Sequence, residues 1–137
     1  MKGSATPLVV DESIIRSKDP VQLFDDFPVI DNNAHYSESL ECAAFRKFGL
    51  FLKLDSTSTP TTIRFEVEFL DRWTGQWYTY KQGVFVSLYW EDVDVASIVY
   101  ESFAGDCLGR AVRLKLTGAG CTSSAYFTIS AAMEFWN

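Results

Sequence analysis

Histidine and cysteine, the side chains that most often hold metal ions or act as nucleophiles, are scarce in this chain. His35 is its only histidine, and Cys42, Cys107 and Cys121 are its only cysteines among 137 residues. One imidazole excludes a multi-histidine metal cluster, and the lack of a Cys-x-x-Cys pair excludes a zinc ribbon. We expect buried, reduced thiols, with a Cys107–Cys121 bridge between neighbouring strands as the alternative.

Basic residues and long apolar runs are also in short supply. The chain has 12 Lys and Arg against 18 Asp and Glu, and its formal net charge is -6. Nucleic acid binding depends on clustered Lys and Arg that release counterions, so this balance argues against such a partner. No run approaches the ~20 apolar residues of a membrane span, and the run at residues 7–10 is too short for a signal peptide. We expect synthesis in the cytoplasm and no membrane partner.

Regular periodicity is missing from residues 1–35, which hold three of the four prolines. The sequence therefore predicts an extended N-terminal arm, residues 1–35, ahead of a domain formed by residues 36–137. Within the arm, Asp19 followed by Pro20 resembles a helix start, which predicts a short helical turn over residues 21–27.

The arm is too apolar to remain in water without a surface to cover. We expect its apolar side chains to form a partner-binding interface on a neighbouring subunit or on the arm's own domain. These side chains are Leu8, Val9, Val10, Ile14, Ile15, Leu23, Phe24, Phe27, Val29 and Ile30. On this hypothesis, removal of residues 1–30 leaves a folded domain that has lost assembly.

Alternation of apolar and polar residues dominates residues 36–137. It is clearest at residues 63–69, where apolar side chains alternate with Arg64, Glu66 and Glu68, as in a strand with one buried face. About seven or eight strands without a long amphipathic helix predict an all-β fold, an antiparallel β-sandwich of jelly-roll or Ig-like type. The other expected strands are residues 39–45, 50–54, 76–80, 84–90, 97–103, 110–117 and 126–136, with turns at 71–75 and 118–120. We expect the strand at 84–90, apolar on both faces, to be covered twice.

Two acidic groupings offer alternatives to a purely structural role. Asp92 and Asp94 carry the oxygen ligands that calcium prefers, although no complete calcium-binding motif surrounds them. Glu66 and Glu68 share one strand face and could belong to a glycosidase carboxylate pair. We favour a solvated loop for the first and cross-strand charge pairing for the second, and we expect no metal or cofactor.

His35 is the one side chain available as an imidazole base. Cys42 follows it closely, but the sequence shows no oxyanion site or cleft beside this pair, and a surface histidine is the simpler interpretation. We therefore expect no catalytic residues and no enzymatic activity.

Aromatic side chains, by contrast, are abundant at 15% of the chain. Trp73, Trp77 and Tyr78 lie around the turn at 71–75 and predict surface aromatic contacts. Because exposed rings on a sandwich face can stack on sugar rings, a carbohydrate-binding module is an alternative function. Trp77, Tyr80 and Trp90, however, lie within apolar alternation, which favours core or interface positions.

Two patterned stretches carry a resemblance. Residues 61–78, TTIRFEVEFLDRWTGQWY, contain a strand, a short Asp/Gly turn and a Trp-Tyr pair. Residues 109–131, GRAVRLKLTGAGCTSSAYFTISA, contain a strand with alternating basic residues, a Gly/Thr/Ser turn and a Phe-Thr-Ile strand. Both stretches, roughly a third of the chain, resemble small β-sandwich virion proteins of tailed bacteriophages.

This resemblance implies a non-enzymatic structural component of a virion, a capsid decoration or cement protein. A head–tail connector or tail structural protein is the alternative. Such proteins form trimers or rings and use extended arms to hold neighbours together. The resemblance therefore implies the major capsid protein or other virion proteins as partners, a homo-oligomer with a trimer favoured, and a location in the virion after synthesis in the host cytoplasm.

Overall fold

The computed structural model describes residues 17–57, 62–91 and 98–137. These residues form ten strands and one 3-10 helix. The strands are β1 (Ser17–Val29), β2 (Ala34–Tyr36), β3 (Leu40–Glu41), β4 (Lys47–Ser56), β5 (Thr62–Leu70), β6 (Trp77–Thr79), β7 (Leu88–Trp90), β8 (Val99–Asp106), β9 (Ala111–Ala119) and β10 (Phe127–Trp136), and the 3-10 helix is Gly83–Ser87. None of these described elements is a helix able to cross a bilayer.

The strands form two antiparallel sheets packed face to face. Sheet I has the order β1-β10-β4-β8. In sheet II, β9 and β5 are central; β2 and β3 share the edge beside β9, and β6 and β7 share the edge beside β5. Ten strands thus fill eight positions, and the chain repeatedly crosses from one sheet to the other. The predicted antiparallel sandwich is confirmed, and this strand order is that of a jelly roll.

The core lies between the sheets and follows the alternation of their long strands. In β10 every second side chain from Phe127 to Phe135 is buried, and in β5 Ile63, Phe65 and Phe69 face the same interior. Rings from both sheets meet edge to face, as Phe48 and Phe69 do at a centroid distance of 5.7 Å. Such burial of apolar surface is the main favourable contribution to folding.

The boundary predicted at residue 35 is wrong for the described part of the arm. Residues 17–29 are strand β1, which pairs along its length with β10, so neither the arm nor the helical turn at 21–27 forms there. The register of this pair shifts between Lys18 and Val21 and twice more before Phe27, and Asp26 has a φ of 45°. Such bulges and an edge position accommodate Pro20 and Pro28, which lack a backbone donor.

Three shorter predictions also needed correction. Residues 84–90 are not one strand, because Gly83 (φ 57°) begins a 3-10 helix and only residues 88–90 pair with β5. The expected strand at 39–45 shrinks to Leu40–Glu41, and the chain turns at Gly120 (φ 72°) rather than over 118–120. The turn at 71–75 is confirmed by the bond from the Gly75 N–H to the Asp71 carbonyl.

Candidate interaction surfaces

The outer face of sheet I carries two aromatic side chains that the fold leaves in solvent. Phe51 on β4 is 41% exposed and Tyr100 on β8 is 69% exposed. In β4, Leu50 and Leu52 point into the core, so the pleat directs Phe51 outward. Tyr100 lies opposite Lys53 in the β4–β8 register, two pairs along from Phe51 and Ser102. The two rings therefore stand on neighbouring strands of the same face.

A shallow groove of about 390 Å³ runs between these rings and the edge strand β1. Its walls include Phe51 and Tyr100 on one side and Pro20 and Gln22 on the other, and the small side chain of Ala132 on β10 forms its floor. Gln22 pairs with Ala132, and Ala132 pairs with Phe51, so the register of three strands sets the width of the groove. We refer to it as the sheet I groove.

The outer face of sheet II is different, because its charged and aromatic groups pair with each other. Arg113 on β9 lies opposite Glu68 on β5, and its Nε donates to Glu68 Oε1 at 2.8 Å. The same guanidinium lies 4.2 Å from the ring centroid of Tyr36 and 4.2 Å from that of Trp77. The Glu68 side chain is only 10% exposed, so Arg113 compensates a nearly buried carboxylate.

A second charge pair continues this pattern along the same strands. Lys115 lies opposite Glu66, with 3.6 Å between Nζ and Oε1. Cross-strand pairing of Glu66 and Glu68 is therefore confirmed, and both carboxylates of the glycosidase alternative are engaged by basic residues. Asp92 and Asp94, the calcium alternative, lie outside the described residues. Within the described ranges, no group of three or more His, Cys, Asp or Glu side chains could hold a metal ion.

The three aromatics expected at the surface do not form one platform. Trp73 is 91% exposed in the turn that follows β5. Trp77 points to the outer face of sheet II and packs on Arg113, whereas Tyr78, its neighbour in β6, points to the opposite face. The Tyr78 hydroxyl lies 3.2 Å from Thr74 Oγ1 and ties β6 to the turn. Trp73 and Tyr78 are exposed as predicted, and Trp77 is half-buried.

The described residues of the expected arm interface belong to the sandwich itself. Phe24 and Val29 are buried in the core, and Leu23 and Phe27 are partly buried against it. Ile30, just after β1, is exposed. For Leu23, Phe24, Phe27 and Val29 a partner interface is therefore wrong, and the alternative, that they pack on their own domain, is confirmed. The remaining members, Leu8, Val9, Val10, Ile14 and Ile15, lie outside the described residues.

His35 and Cys42 contact other residues and not each other. His35 Nε2 lies 2.8 Å from Asp31 Oδ1, and the ring packs edge-on against Phe27. This hydrogen bond lowers the pKa of Asp31 below its ordinary value of 3.8. Cys42 is buried after β3, and its thiol contacts the Gly109 carbonyl and the Cys107 thiol. The pair is not arranged as nucleophile and base.

One sign of the sheet I groove is present in the sequence. Phe51 occupies an outward position between two inward leucines, where a polar residue is usual in a half-buried strand. Tyr100 has no comparable sign, since β8 is an edge strand without clear alternation.

No protein-family model and no curated protein sequence matches this chain. Among solved structures, the CBM22-1 xylan-binding domain of Xyn10C from Paenibacillus barcinonensis is similar, with a TM-score of 0.48 and 14% identity. The match covers 72% of this chain and 62% of that domain's length. A likeness of this degree carries no argument about function.

Proposed function

We propose that this chain is a non-enzymatic structural protein of a tailed-bacteriophage virion, a decoration or cement protein that binds the capsid through the exposed face of sheet I. The observation that carries the proposal is the sheet I groove, where Phe51 and Tyr100 flank an open apolar surface. The assignment to a virion rests on the resemblance of residues 61–78 and 109–131. Viral capsid domains are among the proteins that use jelly rolls, and so are lectins, so the fold is compatible with both candidates below.

Physical chemistry favours a protein as the partner of this groove. Tyr, Phe and other aromatic residues are enriched in the centres of protein interfaces because a rigid ring buries much surface at little entropic cost. Small residues such as Ala132 leave space for a partner's side chains between the rings and β1. The floor and walls belong to four paired strands, so the surface is preorganised.

The N-terminal residues extend this proposal. Leu8, Val9, Val10, Ile14 and Ile15 are further apolar side chains, which we propose cover a neighbouring subunit of a homo-oligomer, with a trimer favoured. Multiple weak contacts repeated over a symmetric shell hold it more strongly than one contact does. A head–tail connector or tail protein would use the same surfaces with another virion partner.

The experiment is a binding assay with a matched control. Capsids assembled from the major capsid protein of the same genome are mixed with the wild type, with Phe51→Thr/Tyr100→Thr, and with Tyr89→Thr. Tyr89 is an exposed tyrosine of sheet II and serves as the control. We expect co-sedimentation of the wild type and the control and at least tenfold weaker binding of the double variant, about 1.4 kcal/mol. Equal binding of all three, or none by the wild type, contradicts the proposal.

A carbohydrate-binding module is the second candidate. It is favoured by Trp73, whose ring is almost entirely in solvent. On this hypothesis Trp73→Ala abolishes binding on a glycan array while the far-ultraviolet circular dichroism spectrum is unchanged. An array on which the wild type binds no glycan removes this candidate and leaves the first intact.

A further inference from the structure

Two of the three cysteines meet at one end of the sandwich, although they are far apart in the sequence. Cys42 follows β3 of sheet II, and its N–H donates to the Arg110 carbonyl at 2.9 Å. Cys107 follows β8 of sheet I, and its N–H donates to the Arg46 carbonyl at 2.9 Å. The Cys42 Sγ lies 3.3 Å from the Gly109 carbonyl, and Cys107, two residues before Gly109, lines the same recess as Gly109. The two thiols are therefore close to each other.

Cys121 is at the other end of the molecule. Cys42 bonds to the residue before β9, whereas Cys121 follows the end of β9, where its N–H donates to Asn32 Oδ1 at 3.1 Å. A strand of this length spans about 27 Å at ~3.4 Å per residue. Bridged cysteines have Cα atoms within about 7 Å of each other, so the Cys107–Cys121 bridge considered from the sequence is wrong. No disulfide joins the cysteines, all of which lie in the described residues.

We propose that Cys42 and Cys107 are a disulfide-forming pair, which a low-molecular-weight disulfide such as oxidised glutathione converts into a covalent link between the two sheets. Cys107 is partly exposed and lines an open recess with Ala43 and Arg72, so the reagent has access to its sulfur. Cys42 is fully buried and is shielded from every thiol reagent that does not enter through Cys107.

The reaction involves only the two protein thiols and one molecule of glutathione disulfide, and its atoms and electrons balance. The pair loses one proton to solvent and keeps the other. As the Cys107 sulfur attacks glutathione disulfide, its proton passes to the Cys42 thiolate; a mixed disulfide forms at Cys107, and the glutathione thiolate that leaves then takes the proton from Cys42. The Cys42 sulfur then displaces the second glutathione and forms the Cys42–Cys107 bond. Two protein thiols are oxidised, and one glutathione disulfide is reduced to two glutathiones.

The electrostatics of the pair place the negative charge of the singly deprotonated pair on Cys42, so Cys42 is the base that accepts the Cys107 proton. The hydrogen bond from Cys107 lowers the pKa of Cys42, and the same bond raises the pKa of Cys107. One proton therefore leaves the pair readily and the other is retained, as in a dithiol that shares a proton.

The proposal does not depend on the proposed function. If the chain is a virion protein, however, its thiols stay reduced in the host cytoplasm and the bond forms after release into an oxidising medium. The bond would close a long loop and restrict the unfolded chain, so we expect the oxidised protein to melt about 10 °C higher than the reduced protein.

Alkylation and intact mass measurement test the proposal on the full chain. The protein is equilibrated with reduced or oxidised glutathione, denatured in acid, and alkylated. We expect three alkyl groups on the reduced wild type, one for each cysteine, and a single group on Cys121 after oxidation. Cys121→Ala is the matched control, which should change from two alkyl groups to none.

Cys42→Ala and Cys107→Ala should lose both the bond and the rise in melting temperature. Since Cys42 is a core residue, Cys107→Ala is the decisive variant should Cys42→Ala fail to fold. The proposal is overturned if the folded wild type keeps three reactive thiols after oxidation, or if peptide mapping finds the bond at Cys121.

Discussion

The two outer faces of this sandwich differ in what surrounds their aromatic rings. On sheet II, the rings of Tyr36 and Trp77 enclose the Arg113 guanidinium, which also pairs with Glu68. On sheet I, Phe51 and Tyr100 stand beside Lys53 and small side chains such as Ala132, and they leave a groove open.

Because of this difference, we expect sheet II to contribute mainly to folding stability and sheet I mainly to binding of a partner. A face whose polar and aromatic groups already satisfy each other gains little from a partner and loses stability when one group is removed. A face with unpartnered rings loses little when they are replaced, and it gains by burial against another surface. We therefore expect variants of sheet II to affect folding and variants of sheet I to affect association.

The largest effect should come from removing β1, the edge of sheet I that forms one wall of the groove. Deletion of residues 1–30 removes Phe24 and Val29 from the core and uncovers the edge of β10. We expect a loss of about 5 kcal/mol or more, enough to unfold a typical domain. Deletion of residues 1–16 leaves every described strand and should stay folded. Circular dichroism melting compares the two; a folded 31–137 fragment would show that β1 is dispensable.

A smaller but clear loss is expected from the salt bridge of sheet II. Arg113→Ala leaves the Glu68 carboxylate nearly buried without compensation, so the free energy of unfolding should fall by about 3 kcal/mol. Lys115→Ala is the control on the same strand, and its more open pair with Glu66 should cost about 0.5 kcal/mol. Urea denaturation measures both. Equal losses would mean that the stack on Arg113 has no special role.

The groove variants should hardly change stability. Phe51→Thr and Tyr100→Thr keep a residue type that favours strands and remove only exposed rings, so each should shift the free energy of unfolding by about 0.5 kcal/mol or less. Urea denaturation of these proteins accompanies the binding assay. A loss as large as that of Arg113→Ala would make the two faces equivalent.

The smallest effect concerns the turn that carries Trp73 at one end of sheet II. The Thr74 N–H donates to the Asp71 carboxylate, which lowers the pKa of Asp71 below its ordinary value of 3.8. A lowered pKa in the folded state gives a stabilisation that is complete above 3.8 and is lost as the pH falls through the lower folded value.

Asp71→Asn removes this titration. The variant should lose less stability than the wild type between pH 7 and about pH 2.5. Urea denaturation at the two pH values measures the difference. Identical acid dependence in the variant and the wild type would rule out this hydrogen bond as a contributor.

Much of the fold could be predicted because long strands with one buried face carry a strict alternation. β5 and β10 were found in this way, and so were the apolar positions Leu50, Leu52 and Leu54 of β4. β1 was missed because its bulges break the alternation and Pro20 resembles a helix start. The 3-10 helix after Gly83 was missed because a short apolar run has the same pattern in either structure.

The candidate site was less predictable than the fold. Phe51 faces outward by simple alternation, but the groove also requires Pro20, Tyr100 and Ala132, which come from three other strands. Their proximity follows from the strand order of sheet I, which local patterns do not encode. The Cys42–Cys107 contact was missed for the same reason, since it joins the ends of strands in different sheets.

The central place of β10 in sheet I has a consequence for synthesis. β1 and β4 both pair with β10, and the hydrogen bond from the Asp26 N–H to the Ser130 hydroxyl joins residues 104 positions apart. The ribosome therefore produces both flanking strands long before the strand that unites them. In the nascent chain, the apolar side chains of β1 and β4 stay without their shared neighbour β10 until residues 127–136 leave the exit tunnel. We expect chaperones to bind the chain during that interval.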